Sequence, residues 1–214
     1  MSMNKLNSRL FFGDMKSFWN ERFSEEAYIY GEEPNVFFRQ VLAAHKPGKI
    51  LLPGEGEGRN AVWAARQGWD VHALDYSDSG KEKALRLADR LKVSINYEVA
   101  DLSTIRLEPN TYDFIALIFV HLPTHQREQV HQQLAQSLKP DGIILIEAFH
   151  KSQLQYDSGG PKNAAMLYDA ALLKQDFYAL DILELVETTD RLNEGEWHKG
   201  NAAVVRMKAK RQAD

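Results

Sequence analysis

The sequence predicts an α/β fold: a mostly parallel seven-stranded sheet with helices on both faces and a reversed C-terminal strand pair. Three observations predict it. Short apolar runs alternate with segments of helical periodicity between residues 49 and 149. One of those runs, Tyr112 to Val120, is apolar enough to lie mid-sheet and be buried on both sides. The last two runs, 182–188 and 202–209, are separated by Asn193-Glu194-Gly195-Glu196 and Gly200, a hairpin-length connection that makes them antiparallel neighbours.

Each element has its own local reason. The run Lys49-Ile50-Leu51-Leu52-Pro53 is a short buried strand ending in a glycine cluster. Alanines and Trp63 between Asn60 and Gln67 suit a helix, with Gly68 placed to cap its C-terminus. Val71 to Leu74 form the next strand, ending at Asp75, and Ser77 or Asp78 caps a helix whose Ala84, Leu85, Leu87, Ala88 and Leu91 keep a 3.6-residue rhythm. Ser94 to Val99 is a third strand, with Asp101 just beyond it. Pro123 suits the first turn of a helix carrying Val130, Leu134 and Leu138, and the turn Lys139-Pro140-Asp141-Gly142 feeds the strand Ile143 to Phe149. The expectation is five strands with four intervening helices. Residues 1–47, rich in aromatics, read as two helices lying against the sheet, the second opening near Pro34. Residues 48–214 form the remainder of a single globular domain.

Composition narrows the function. The 214 residues hold 26 basic and 30 acidic side chains, a net charge of −4, and no cysteine. Disulfides, thiolate metal sites and a cysteine nucleophile are excluded. A mildly acidic chain is poorly suited to nucleic acid or anionic lipid. The apolar run Leu10-Phe11-Phe12 is too short for a signal-peptide core, and nothing approaches a membrane span. The expectation is a cytoplasmic protein, a monomer or weak homodimer, acting on a small molecule. His121 and His125 stand four apart, but Pro123 between them and the lack of a third ligand argue against a metal, so none is expected.

In an open parallel sheet, ligands sit beyond the carboxyl ends of the strands. Four such ends here carry Gly54-Glu55-Gly56-Glu57-Gly58, Asp75, Asp101 and His121. Gly56-x-Gly58-x-x-Ala61 satisfies a loose dinucleotide fingerprint, with Asp75 near the spacing of a ribose-binding acid. A dinucleotide would set its pyrophosphate against the helix N-terminus, where Glu55 and Glu57 are expected to repel it. S-adenosylmethionine carries an ammonium and a sulfonium and no phosphate, so an acidic glycine loop suits it. Asp75 would then accept both ribose hydroxyls. Asp101 and the Leu102 amide would meet the adenine, and loop amides or Arg59 the donor carboxylate.

Ile50-Leu-Leu-Pro-Gly-Glu-Gly-Glu-Gly-Arg-Asn-Ala61, Leu74-Asp75-Tyr76-Ser77 and Ala100-Asp101-Leu102 together resemble a class I S-adenosylmethionine-dependent methyltransferase, whose Rossmann-like fold also ends in a reversed strand pair. Trp19-Asn-Glu-Arg22-Phe23, Tyr28-Ile-Tyr30-Gly31-Glu-Glu-Pro34-Asn35 and Gly195-Glu196-Trp197-His198-Lys199-Gly200 resemble the tellurite-resistance and thiopurine methyltransferase-like branch. The class usually has an acid two residues before the first glycine. Here that position is Leu52, and Glu55 is the replacement for holding the methionine ammonium. The resemblance implies that residues 1–47 close over the site. It implies a cofactor set of Trp19, Tyr30, Gly54, Glu55, Gly56, Gly58, Arg59, Asn60, Asp75, Tyr76, Asp101, Leu102 and Phe119. Tyr30, His121 and His198 are substrate candidates, and His121 and Arg22 are the candidates for catalysis. The implied reaction is methyl transfer to a small-molecule acceptor, a soft nucleophile such as a thiol or a selenium or tellurium oxyanion. An NAD-dependent oxidoreductase and a non-catalytic S-adenosylmethionine-binding module are the alternatives.

Overall fold

A computed structural model describes residues 12–213. The elements run α1 (Phe12–Arg22), α2 (Val36–Leu42), β1 (Lys49–Pro53), α3 (Arg59–Arg66), β2 (Asp70–Asp75), α4 (Asp78–Arg90), β3 (Asn96–Val99), β4 (Tyr112–Ile118), α5 (Thr124–Ser137), β5 (Leu138–Phe149), α6 (Ala170–Asp176), β6 (Asp181–Asn193) and β7 (Lys199–Lys210). The seven strands lie in the order β3-β2-β1-β4-β5-β7-β6. The first five pair in parallel, and β7 runs antiparallel to both β5 and β6.

The period-2 alternation of β4 divides the core. Ile115 and Leu117 face one layer with Val130 and Leu134 of α5, Leu173 of α6 and Phe177 just after it. Phe114 and Ala116 face the other, with Phe38 and Leu42 of α2, Val62 of α3 and Leu87 of α4. The strand order reverses between β1 and β4, so the crevice for a ligand opens at the carboxyl ends of those two strands. Among the described residues no helix is long and apolar enough to cross a membrane.

Four expectations need correction. Leu138 opens β5 rather than lying on α5, so Lys139 to Gly142 falls inside the strand instead of leading into it. The five parallel strands are joined by three helices, not four: residues 100–111, between β3 and β4, form turns. The Asp101 carbonyl accepts the amides of Thr104 and Ile105, and Asn110 takes a positive φ of 53°, so this short connection closes as a tight loop. Pro123 sits one residue before α5 as its N-cap rather than in its first turn. Helix α6, which was not expected, is started by the Asp169 carboxylate accepting the Leu172 amide. The two expected N-terminal helices are present, the second capped by Asn35. Residues 1–11 of the 1–47 segment, including Leu10 and Phe11, lie outside the described residues.

Candidate active site

The end of β1 turns sharply into α3. Gly58 precedes the helix at φ 89°, and a Cβ there would lie 2.4 Å from Ala84 Cβ and 2.7 Å from its Cα, so only glycine lets α3 and α4 approach this closely. The loop faces a cavity of about 620 Å³, within the roughly 300–1,000 Å³ of small-molecule sites. Of the expected cofactor residues, Trp19, Tyr30, Gly54, Glu55, Gly56, Arg59, Asn60, Asp75, Tyr76, Leu102 and Phe119 line it, as do Arg22, His121 and His198. Gly58 and Asp101 do not. Asp101 stands behind the wall: its Oδ1 accepts Tyr76 Oη at 2.9 Å and the Ser103 amide and hydroxyl at 2.7 Å each.

Two carboxylates mark one end. Asp75 accepts the amides of Gly56 and Ser77, both at 2.9 Å, and has no cationic partner among the described residues. Burial pushes its pKa from 3.8 up to about 6 against the pull of those amides. Glu55 accepts the Ala61 amide at 2.7 Å and Asn60 Nδ2 at 3.4 Å, and burial raises it to about 7. A donor bearing two positive groups and a ribose diol fits this pair of buried acids, neither of which has a direct cationic partner among the described residues, with Ala100, Leu102 and Ile118 as apolar wall for a base. The structure changes the argument against a pyrophosphate. Glu57 does not flank the ligand position. It turns away to pair with Lys83 Nζ at 2.5 Å and to accept the amides of Ile29 and Tyr30, because its α4-facing side offers a buried cation. The exclusion rests on Glu55 alone, which already occupies the N-terminal amide of Ala61 that a phosphate would use.

The other end is aromatic. His198, on the turn between β6 and β7, lies 4.5 Å from the Tyr30 ring, 4.6 Å from Phe119 and 5.3 Å from Phe149 (centroid distances). Its Nδ1 is buried without a partner among the described residues, and burial, helped by the charge of Arg59, pushes its pKa down to about 3. His121 donates from Nδ1 to the Met166 carbonyl at 2.7 Å and accepts the Phe149 amide at Nε2, 3.3 Å, which fixes its tautomer. Burial lowers it to about 4. Both rings are therefore neutral near pH 7. Arg22 donates to Tyr30 Oη at 3.3 Å and lies over the rings of Phe18 and Trp197, 4.5 and 4.8 Å from their centroids.

Sequence reasoning missed Phe149, Phe18, Met166 and Gln126 in the lining. It also read Glu194 as a plain turn residue, although that carboxylate binds Arg59 Nη2 at 2.7 Å. The adjoining turn motif Gly195 to Gly200 was the available signal. Among the described residues no group of three or more side chains is arranged to hold a metal.

A family profile described as a methyltransferase domain matches residues 50–142. A ubiquinone biosynthesis O-methyltransferase from Rickettsia canadensis is 30% identical over 111 residues, 52% of this chain and 47% of that protein. The probable S-adenosyl-L-methionine-dependent methyltransferase TehB from Haemophilus influenzae is 24% identical over 166 residues, 77% of this chain and 55% of the relative. Its crystal structure superposes with a TM-score of 0.70 at 17% identity, covering 92% of this chain and 67% of that one. A protein solved in connection with conversion of a disulfide bond into a thioacetal group during echinomycin biosynthesis gives a TM-score of 0.73 at 16% identity, covering 92% of both chains. The chain spans 28% to 55% of the length of the first curated relatives it matches. In its sheet order, its acid-bearing glycine loop and the methyltransferase-domain match over residues 50–142, the chain is similar to class I S-adenosylmethionine-dependent methyltransferases.

Proposed function

We propose that the protein transfers a methyl group from S-adenosylmethionine to a small soft nucleophile, a thiol or a selenium or tellurium oxyanion. One observation carries this reading. A single cavity joins the carboxylate end at Glu55 and Asp75 to an aromatic end whose two histidines are neutral and, in the case of His121, fully engaged. The bound donor supplies an activated methyl on a sulfonium and its own leaving group. Asp75 holds the ribose hydroxyls, Leu102 the adenine side, Glu55 the ammonium, and Trp19 and Tyr30 the methionyl end. The described part of the N-terminal segment, residues 12–47, closes over the site: Trp19, Arg22 and Tyr30 supply one wall of the cavity, and Asn20 Oδ1 ties α1 to the start of α4 by accepting the Ser77 hydroxyl at 2.8 Å.

What remains for the protein is alignment and exclusion of water. An oxygen or amine acceptor would need a base near neutrality to take its proton, and the acceptor end offers His121 and His198 with depressed basicity. A thiol ionises in water near neutral pH and is methylated as its thiolate, its proton having gone to solvent, and a selenium or tellurium oxyanion attacks through a lone pair with no proton to lose. The thioacetal chemistry of the echinomycin protein, also at sulfur, supports the same class. His198, whose Nδ1 has no partner among the described residues, would orient the acceptor by a hydrogen bond.

The test is transfer of radiolabelled methyl from S-adenosylmethionine to a panel of thiols, selenite, tellurite and small amines, alongside titration with NAD. Label on sulfur, selenium or tellurium is expected. Label confined to amines overturns the acceptor class, and tight binding of NAD alone overturns the donor.

A further inference from the structure

The turn between β6 and β7 carries a buried carboxylate with no part in holding the donor or the acceptor. Glu194 is 9% exposed. Its Oε2 accepts Arg59 Nη2 at 2.7 Å, and its Oε1 accepts Asn35 Nδ2 at 3.0 Å and the Val36 amide at 3.3 Å. The other arm of the guanidinium, Nη1, donates to the Tyr30 carbonyl at 3.2 Å. Arg59 is thus held from two sides while it lines the same cavity as Glu55. Glu55, four residues earlier, receives hydrogen bonds only from neutral donors among the described residues. The charge of Arg59 already reaches it, acting to lower its pKa against burial.

A guanidinium released from Glu194 would be a buried cation beside a buried carboxylate, on the same loop. Such a tethered pair forms readily, and a bidentate arginine–carboxylate contact is among the stronger charge-assisted hydrogen bonds. It would compete directly with any cationic ligand for Glu55. We infer that Glu194 is a positioning residue: by holding Arg59 it keeps the guanidinium off Glu55 and reserves that carboxylate for the ammonium of the donor. This rests on the reading of Glu55 as the ammonium-holding group.

Calorimetric titration of the full chain with two probes separates the possibilities. Decarboxylated S-adenosylmethionine keeps the ammonium and removes any contribution of Arg59 to a carboxylate. Methylthioadenosine lacks the amino-acid portion altogether. Glu194→Gln retains an oxygen for Asn35 and Val36 but presents an amide donor to Arg59, so the turn keeps its other bonds. In that variant, affinity for the decarboxylated donor is expected to fall about tenfold, the scale of one lost charged hydrogen bond, with methylthioadenosine unchanged. Adding Arg59→Gln removes the competitor, and affinity for the decarboxylated donor should return to within about twofold of the original protein. Unchanged affinity in Glu194→Gln overturns the inference. So does a double variant no tighter than the single one, or a parallel loss of methylthioadenosine, which would make the turn a plain scaffold. Glu55→Gln with undiminished affinity for the decarboxylated donor overturns the Glu55 assignment instead, and an original protein that binds neither probe overturns the donor reading itself.

Discussion

The two ends of the cavity are built differently. The donor end comes from short stretches of chain at successive strand ends: the Gly54–Gly58 loop, Asp75 and Leu102, with two buried acids held by backbone amides. The end proposed for the acceptor is assembled from α1, Tyr30, the tail of β4, Phe149 and the β6–β7 turn, and its rings meet across sequence separations of 30 to 168 residues. That division suits the proposed transfer, in which local geometry would hold a constant donor and distant side chains a variable acceptor.

Two glycines break one end each. In Gly58→Ala the new methyl meets Ala84 at 2.4 Å in a left-handed backbone, and the domain should lose about 2–4 kcal/mol of stability together with donor binding. Chemical denaturation measures the first and calorimetry the second. In Gly195→Ala, at φ 75°, the methyl would lie 2.2 Å from the Ile29 carbonyl oxygen, so residues 29–30 and the β6–β7 turn must separate. That variant should raise the acceptor KM severalfold and leave methylthioadenosine affinity intact. Equal loss of methylthioadenosine in both variants would erase the distinction between the ends.

Asp75→Ala sharpens the donor end. Loss of both ribose contacts should weaken S-adenosylmethionine by about 1–3 kcal/mol with little change in acceptor KM. Unaltered affinity would remove the ribose assignment.

The contrast also explains what could be read in the sequence. The mostly parallel sheet, the reversed pair and the glycine loop with its acids at the strand ends were legible because each follows from a local pattern: apolar period, a cap, a glycine spacing. The role of Glu57 was not, since its partner Lys83 and the Ile29 and Tyr30 amides are supplied by packing from elsewhere. The same holds for Glu194 with Arg59 and Asn35, and for Phe149, whose place beside His198 depends on the pairing of β5 with β7. Helix α6 and the helix-free link from β3 to β4 escaped because short segments follow tertiary packing more than propensity.

A pH titration sharpens the donor end further. Glu55 is raised to about 7 and Asp75 to about 6 in the folded protein, above their ordinary values of 4.5 and 3.8. A raised acid holds its proton more tightly in the folded state, so the stability it contributes is full below its unfolded value and is lost as pH rises through 6 and 7. A cationic donor prefers the ionised form, so its affinity should rise over the same interval and level off above about pH 7. The thermal shift produced by S-adenosylmethionine should therefore be larger at pH 8 than at pH 5.5. Glu55→Gln should remove the upper part of this dependence. A thermal shift independent of pH in the original protein would mean that neither acid meets a cation.

The smallest effect on chemistry is expected at His121, although it lies in the cavity wall and follows the fourth strand as a base would. Both its nitrogens are taken, by the Met166 carbonyl and the Phe149 amide, and its pKa lies near 4, so it has no proton to gain at the working pH. His121→Phe should cost about 1–3 kcal/mol of stability, because two buried backbone groups lose their partner. The pH dependence of kcat should keep its shape. If instead an inflection vanishes with the imidazole, a base does operate at the aromatic end. The preference for acceptors that need none then loses its physical ground, and oxygen or nitrogen nucleophiles become the ones to test.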